Sequence, residues 1–209
     1  MTTQLLAAEL TPAAVLDFWF GDDDGGRLAS PAVLGKRWFK GGEAVDAAIA
    51  ERFAWAVDQA VANGLKDWEI APRERMALIV LLDQFTRNLY RGTVKAFMGD
   101  HRARRLATNG WAHGDFADFH WTEQMAVLMP FEHSENLADQ VFCVGQMERI
   151  ARDVPGQDQD IAEGFVQSAQ RHHDIVAEFG RFPHRNPVMG RANTTAEDRF
   201  MLDGPRFGQ

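Results

Sequence analysis

The sequence lacks most of the features that would place a chain in a special class. A single cysteine cannot form an internal disulfide, and no run of about 18 apolar residues is present to span a membrane. The first ten residues have no basic segment and no long apolar segment, so we expect no signal peptide. The formal charge of −8, from 22 Lys+Arg and 30 Asp+Glu, argues against nucleic acid as a partner. We therefore expect a cytoplasmic protein that binds neither nucleic acid nor membrane.

The common signatures of cofactor, metal and nucleophile chemistry are also missing. Gly25-Gly26 and Gly41-Gly42 lack the spacing and context of a phosphate-binding loop, and no G-x-S-x-G elbow occurs. Cys143 lies in an apolar run without a local signature of a catalytic thiol. The His/Glu spacings of di-iron bundles and zinc proteases are absent. We expect no cofactor and no metal, so histidine or a carboxylate would have to supply any general acid or base.

What the sequence does contain predicts an all-α protein. Hydrophobic residues make up 45% of the 209 residues, and 15 Phe and 6 Trp predict a core rich in aromatic rings. No segment alternates apolar and polar residues for long enough to indicate a strand. We predict one α-helical domain over residues 1–209, with a core at about 11–200 and loose termini. It would hold about seven or eight helices in a bundle or a stacked superhelix.

Start and stop signals give approximate helix boundaries. Thr11-Pro12 and Ser30-Pro31 combine a capping residue with proline at the first helical position, and Pro72 also opens a helix. Asn63-Gly64, Asn109-Gly110 and Gly180 are predicted stops. The predicted helices cover residues 12–20, 31–39, 43–63, 72–90, 93–108, 116–129, 131–152 and 158–179, with a short helix after Thr195.

The stretch 75–92, RMALIVLLDQFTRNLYRG, is apolar on all sides in its first half, which predicts a buried helix. Its second half carries polar side chains that need partners inside or beside the core. Asp83 and Arg87 have the spacing of a helical ion pair. These groups either form a buried capping network or one wall of a polar pocket. They are Asp83, Gln84, Arg87, Asn88 and Arg91.

A second polar group lies in PFEHSENLADQ, residues 130–140. Glu132, Glu135 and Asp139 share one face if a helix runs through, and together they require cations, for which the arginines of 75–92 are natural partners. His133 and Gln140 are expected to face inward. A histidine in such a place is either a hydrogen-bonded core residue or a ligand-binding or proton-transferring group.

The third polar group follows the last long helix. His172 falls inside an apolar stripe, and a turn rich in arginine comes after Gly180. The turn is either an ordered loop whose arginines cap carbonyl groups, or an anion site built on the planar donor fork of arginine, to which Arg191 could add. The candidate residues of the turn are Arg181, His184, Arg185 and Asn186.

Three motifs in this order, LLDQFTRNLYRG at 81–92, PFEHSE at 130–135 and FGRFPHRN at 179–186, resemble a family of uncharacterised bacterial proteins known as DUF924. VLDFWFG at 15–21 and RWF at 37–39 are similar to the start of that family, and the likeness extends to about Phe200. The family pattern DQFPRN has proline where this chain has Thr86.

The resemblance implies a tetratricopeptide-like α-helical fold but no agreed reaction, substrate or cofactor. It also implies which polar residues matter, and because they come from three separate helices or helix ends, we expect them to share one site. They are Asp83, Gln84, Arg87, Asn88, Arg91, Glu132, His133, Glu135, His172, Arg181, His184, Arg185 and Asn186.

Three hypotheses follow. The first is a polar pocket that binds a small anionic molecule, with His133 or His172 and a glutamate such as Glu132 available for proton transfer in a metal-independent acid-base reaction. The second is a module that binds a peptide or protein partner on a concave helical surface, with tryptophans such as Trp19, Trp38 or Trp111 exposed as anchors. The third is a purely structural network between helices.

Overall fold

The computed structural model describes residues 10–22 and 28–207, except for the side chain of Phe39. Within these ranges the chain forms nine helices and no strand, so the all-α prediction is confirmed with slightly more helices than expected. The helices are α1 (Pro12–Phe20), α2 (Pro31–Lys40), α3 (Gly42–Val61), α4 (Pro72–Ile79, Val80–Phe85 and Thr86–Leu89 in succession), α5 (Asp100–His113), α6 (Trp121–Glu132), α7 (Leu137–Arg152), α8 (Gln159–Phe179) and α9 (Thr195–Asp203).

Most of the predicted start signals act as expected. The hydroxyl of Thr11 accepts a hydrogen bond from the backbone N–H of Ala14 at 3.1 Å, which caps α1. Pro31 and Pro72 occupy the first positions of α2 and α4. Gly180 ends α8 in the left-handed conformation, at φ +69°. The sequence after Gly21 also predicts a surface loop at 22–26, and most of that range lies outside the described residues.

Helix α4 is interrupted in its middle by six residues of π-helix, Val80–Phe85. The wider turns leave backbone carbonyls that side chains bind instead: the Thr86 hydroxyl donates to the carbonyl of Leu82 at 2.9 Å, and Arg87 donates to that of Asp83 at 2.7 Å. A regular helical wheel does not describe such a segment. π-helical turns occur often at functional sites, and this one carries Asp83 and Gln84.

Two of the predicted boundaries around α5 are wrong. The helix begins at Asp100, and it runs through Asn109-Gly110 to end at Gly114, where φ is +74°. Glycine at position 110 allows the ring of Phe116 to pack against the helix, because a Cβ at this position would lie 2.3 Å from that ring. A close helix-to-loop contact therefore uses the glycine that looks like a stop signal in the sequence.

The helices predicted at 116–129 and 131–152 also have different limits. Helix α6 begins at Trp121 behind a capping box formed by His120 and Glu123, and Pro130 lies inside its last turn. The chain then breaks at residues 133–136, and Asn136 caps α7 by accepting from the N–H of Ala138 at 2.8 Å. The side chains of residues 132–139 consequently diverge instead of sharing one face.

The buried apolar residues form one large cluster and one small one. The large cluster joins α1 to α8, and Phe85 of α4 lies at its centre, with ring centroids of Trp19 and Phe53 each 5.2 Å away. The small cluster contains Ile175, Val176 and Phe182, with rings of the C-terminal segment packed on them. No helix of the described chain has the length and apolar character needed to cross a bilayer. Consecutive packing of α6, α7 and α8 is compatible with a tetratricopeptide-like arrangement.

Candidate functional site

A cavity of about 840 Å³ opens between the end of α4, the start of α3, the end of α6 and the middle of α8. Its size is within the range of small-molecule sites. The walls bring together side chains from all three polar motifs. Those already expected from the sequence are Gln84, Arg87, Asn88, Arg91, Glu132, His133 and His172.

Helix α4 supplies the arginine wall. Arg87 forms two parallel hydrogen bonds to Asp100, at 2.8 and 3.0 Å, and its guanidinium lies 3.2 Å from the carboxylate of Asp83. Burial alone would lower the pKa of Arg87, but these two carboxylates outweigh it and raise the pKa. Arg87 is therefore a fixed positive charge with most of its donors in use.

The rim of the cavity combines both signs of charge. Asp46 of α3 accepts a hydrogen bond from Asn88 at 2.7 Å and forms an ion pair with Arg91 at 3.2 Å. Arg37 and Glu43 also line the opening. With three arginines and three carboxylates in the walls, the cavity suits a ligand that carries a single anionic group better than a polyanion.

The first carboxylate–histidine pair in the site is Asp83 with His133. Nδ1 of the imidazole lies 2.8 and 3.0 Å from the two carboxylate oxygens, and Gln84 also donates to that carboxylate. Burial would raise the pKa of Asp83, but Arg87 and His133 outweigh it and hold the pKa at about 2. Burial, with the charge of Arg87, lowers the pKa of His133. The pair at neutral pH is a carboxylate and a neutral imidazole.

The second pair is Glu132 with His172. Nδ1 of His172 lies 2.9 Å from a carboxylate oxygen of Glu132 and 2.9 Å from the carbonyl of Ser168. The Ser168 hydroxyl donates to the same carboxylate at 2.8 Å. Burial opposes ionisation of Glu132, but His172 and the hydroxyl lower its pKa overall. Glu132 and His133 are neighbours in the chain, so the last turn of α6 contributes to both pairs.

In both pairs Nδ1 faces acceptors only, so Nδ1 carries a hydrogen and Nε2 is the ring nitrogen that is left for a ligand. Neither Nε2 atom has a hydrogen-bond partner among the described residues, and both rings line the cavity. The ring centroids of His133 and His172 are 6.1 Å apart. A bound molecule could therefore contact two oriented bases at once.

The third motif is mostly not part of this cavity. Arg185 donates to the carbonyl of His133 at 3.0 Å and lies between the rings of Phe97 and Phe182, so it supports the histidine from behind. The other residues hold the C-terminal segment: Arg181 pairs with Glu197 at 2.6 Å, Asn186 donates to Asn193 at 2.7 Å, and His184 is packed against Phe182. The structure therefore does not bring all of the candidate residues to the walls of this cavity, and those outside the walls include Arg181, His184, Arg185 and Asn186.

The carboxylates of the second motif also find other partners than expected. Glu135 binds Arg191 at 2.7 and 2.9 Å and accepts from the N–H of Phe182, so it fastens the C-terminal turn. Asp139 pairs with Arg104 at 2.6 Å. The break at residues 133–136 explains the difference, because it turns Glu135 away from Glu132 and from the arginines of α4.

Several residues in the walls had no clear signal in the sequence. Asp46 and Ser168 lie on the polar sides of long helices, and Phe207 belongs to a tail that has no periodicity. Arg37 and Trp38 belong to the RWF motif, which pointed to the family but not to a site. Among the described residues, no group of three or more His, Cys, Asp or Glu is arranged to hold a metal ion.

Comparison with known proteins agrees with this architecture. A solved structure of a protein of unknown function from Agrobacterium tumefaciens is 29% identical, with a TM-score of 0.72, and the match covers 92% of this chain and 97% of the other. A search of curated proteins finds no match. The model of the DUF924 family, described as bacterial proteins of unknown function, matches residues 15–205. Because this match covers nearly the whole chain, the protein belongs to the DUF924 family.

Proposed function

We propose that the cavity binds a small molecule with one anionic group and that its histidines transfer protons without a metal ion. The observation that carries the proposal is the pair of carboxylate-bound histidines, His133 and His172, whose Nε2 atoms open into the same cavity as three arginines. Buried polar atoms in proteins usually have hydrogen-bond partners, so two ring nitrogens without one that face the same cavity favour a bound ligand.

The anionic group is held at the rim, where Arg91 has a side chain that is 43% exposed. The deeper part of the ligand then lies against the imidazole of His133. Its Nε2 accepts a proton from the ligand, and the carboxylate of Asp83 stabilises the imidazolium that forms, as it does in hydrolase triads. The imidazolium of His133 then returns that proton to the leaving or rearranged group, while Nε2 of His172 on the neighbouring wall accepts a hydrogen bond from the bound molecule.

Binding is tested by thermal shift and calorimetry with a panel of small carboxylates and phosphates. Arg91→Met removes the rim charge while keeping the chain length, and we expect it to abolish any shift seen with the wild type. The matched control is Arg104→Met, because Arg104 also forms a partly exposed ion pair, with Asp139, away from the cavity. If both variants respond to every anion as the wild type does, the arginine rim does not bind the ligand.

Proton transfer is tested with two substitutions of His133. Asn keeps a donor near the position of Nδ1 and can still bind Asp83, whereas Gln places its amide near the position of Nε2. With a ligand from the panel that reacts, both variants should lose turnover by at least about a hundredfold while Asn leaves stability nearly unchanged. A variant that retains turnover would exclude His133 as the base.

The alternative proposal is a tetratricopeptide-like module that binds a peptide or protein. It receives less support, because Trp19 is only 1% exposed and Trp38 lines the cavity. Specific retention of a protein partner, lost on substitution of Trp55, which is 53% exposed, would favour this alternative. For either function we propose a cytoplasmic location, which cell fractionation tests.

A further inference from the structure

An aromatic ring of the chain itself occupies one end of the cavity. Phe207 stacks on His172 with ring centroids 3.9 Å apart and an interplanar angle of 29°. Two further rings stand across its edges: Phe182, at 6.4 Å and 73°, and His184, at 5.4 Å and 61°. We call the three rings of His172, Phe182 and His184 the aromatic box, and the ring of Phe207 contacts all three.

The composition of the aromatic box suits a planar group without charge. Phe182 is fully buried, and burial together with Arg185 lowers the pKa of His184 to about 3, so this imidazole is uncharged at neutral pH. Phe182 and His184 do not line the cavity, whereas Phe207 does. Phe207 therefore contacts both the cavity and the two rings of the aromatic box that do not line it.

The segment that carries Phe207 is weakly attached. The last backbone hydrogen bond of the described chain joins the N–H of Gly204 to the carbonyl of Phe200 at 2.7 Å. Phe207 has a left-handed φ of +48°, which a non-glycine residue adopts only at a cost. Its apolar contacts belong to the small C-terminal cluster and not to the main core. Among the described residues, the ring contacts of Phe207 thus attach this segment beyond Gly204 to the rest of the fold.

We propose that the aromatic box is a ring-binding subsite of the cavity, with Phe207 as its replaceable occupant, so that the ligand joins a planar ring to its anionic group. The ring of the ligand would take the place of Phe207 against His172. The anionic group would extend along the cavity toward the arginine rim. This inference rests on the proposed function for the anionic end of the ligand, but the subsite itself can be tested without it.

The test is calorimetry with three probes of similar size on Phe207→Ala and on the wild type. Benzoate is planar and anionic, benzamide is planar and uncharged, and cyclohexanecarboxylate is anionic but not planar. Phe207→Ala should bind benzoate and benzamide about tenfold more tightly than the wild type does. It should also bind benzoate about tenfold more tightly than cyclohexanecarboxylate, because these two anions differ in the planarity of the ring. The control is Phe200→Ala, which removes a ring of the same cluster that packs on Phe179. It should bind all three probes as the wild type does.

The outcomes separate the subsite from a simple void. Equal binding of benzoate and cyclohexanecarboxylate to Phe207→Ala would mean that an apolar hole accepts any filler, and would overturn the proposal. So would binding no tighter than in Phe200→Ala. If benzamide binds Phe207→Ala while no anion depends on Arg91, the subsite stands and the proposed function fails. If anions depend on Arg91 but the ring probes ignore Phe207, the proposed function stands and the subsite fails.

A second measurement leaves the aromatic ring at position 207 in place. With 4-fluorophenylalanine at position 207, the fluorine resonance reports whether the ring is stacked in the aromatic box or released. We expect benzoate to shift it progressively to the position seen in urea-unfolded chain. A resonance that does not move up to the solubility limit of benzoate would show that Phe207 is a fixed part of the wall, and would overturn the proposal.

Discussion

Substitution of Asp83 by Asn should reveal how strongly the buried charge network stabilises the fold. The carboxylate of Asp83 is fully buried and is held by His133, Arg87 and Gln84. The amide of Asn has nearly the same shape and can still accept a hydrogen bond from His133. Arg87 keeps both of its bonds to Asp100. The substitution therefore removes the charge, and the side-chain amide of Gln84 has to turn its oxygen toward the new NH2 group.

The expected loss of unfolding free energy follows from the pKa of Asp83, which is about 2 in the folded protein against an ordinary value of 3.8. A carboxyl whose folded pKa is lower than its unfolded pKa stabilises the fold above the unfolded value. At pH 7 the difference corresponds to about 2 kcal/mol of unfolding free energy. As the pH falls from about 4 toward 2 this contribution disappears, with about 1 kcal/mol left at pH 3.

The assay is urea denaturation of the wild type and Asp83→Asn, followed by tryptophan fluorescence at pH 7, 5, 4 and 3. Glu69 and Glu197 also have lowered pKa values of about 2, but they titrate in both proteins and cancel in the difference. Asp139→Asn is the control, because Asp139 forms a partly exposed ion pair that should be worth less than about 1 kcal/mol.

A difference in unfolding free energy between the two proteins that stays constant from pH 7 to pH 3 would contradict this prediction. A loss of unfolding free energy at pH 7 that is no larger than the loss caused by Asp139→Asn would also contradict it. Either result would mean that desolvation of the Asp83 carboxylate cancels the attraction of its partners, as can happen for buried ion pairs.

Three further predictions concern packing and reactivity. Gly99→Ala should destabilise the protein by roughly 2 kcal/mol or more in urea denaturation, because its Cβ would lie 2.1 Å from the carbonyl oxygen of Leu82; a neutral effect would contradict this close approach. Gly145 occupies an exposed helical position, and a Cβ added there would have no atom within 4 Å. Gly145→Ala should therefore stabilise the protein by up to about 1 kcal/mol, and a loss of stability would contradict the open surroundings of this position. Cys143 is buried with its pKa raised by desolvation, so a disulfide reagent should modify it only as fast as the chain unfolds; rapid labelling in native buffer would show that the thiol is accessible.

The arrangement of the cavity also explains why two adjacent residues of α6 serve different histidine pairs. Glu132 is the last residue of the helix and points toward α8, while His133 caps the helix and points toward α4. Arg185 binds the carbonyl of His133 and so fixes the chain at this point. The motif at residues 130–135 therefore places one member of each carboxylate–histidine pair in a single turn.

The sequence by itself determined the class of fold and the general position of the site. Helices can be located from the sequence because their signals act within a few residues of the chain. These signals are helical periodicity, the capping residues Thr11 and Gly180, and proline at the first helical position in Pro31 and Pro72. The apolar run before Asp83 likewise places polar groups in the interior, where they must find partners. The family assignment could also be made from the motifs alone, and the family match confirms it.

The tertiary structure alone decided the partners of the charged groups. Arg87 pairs with Asp100, Glu135 pairs with Arg191, and Arg185 supports His133, and none of these pairs has a helical spacing that sequence could reveal. The π-helical turn of α4 and the break after Glu132 change the direction in which side chains point, and both depend on packing between helices. The position of Phe207 on His172 is the most remote of these contacts, because it joins a tail to a helix through ring packing and not through any local pattern.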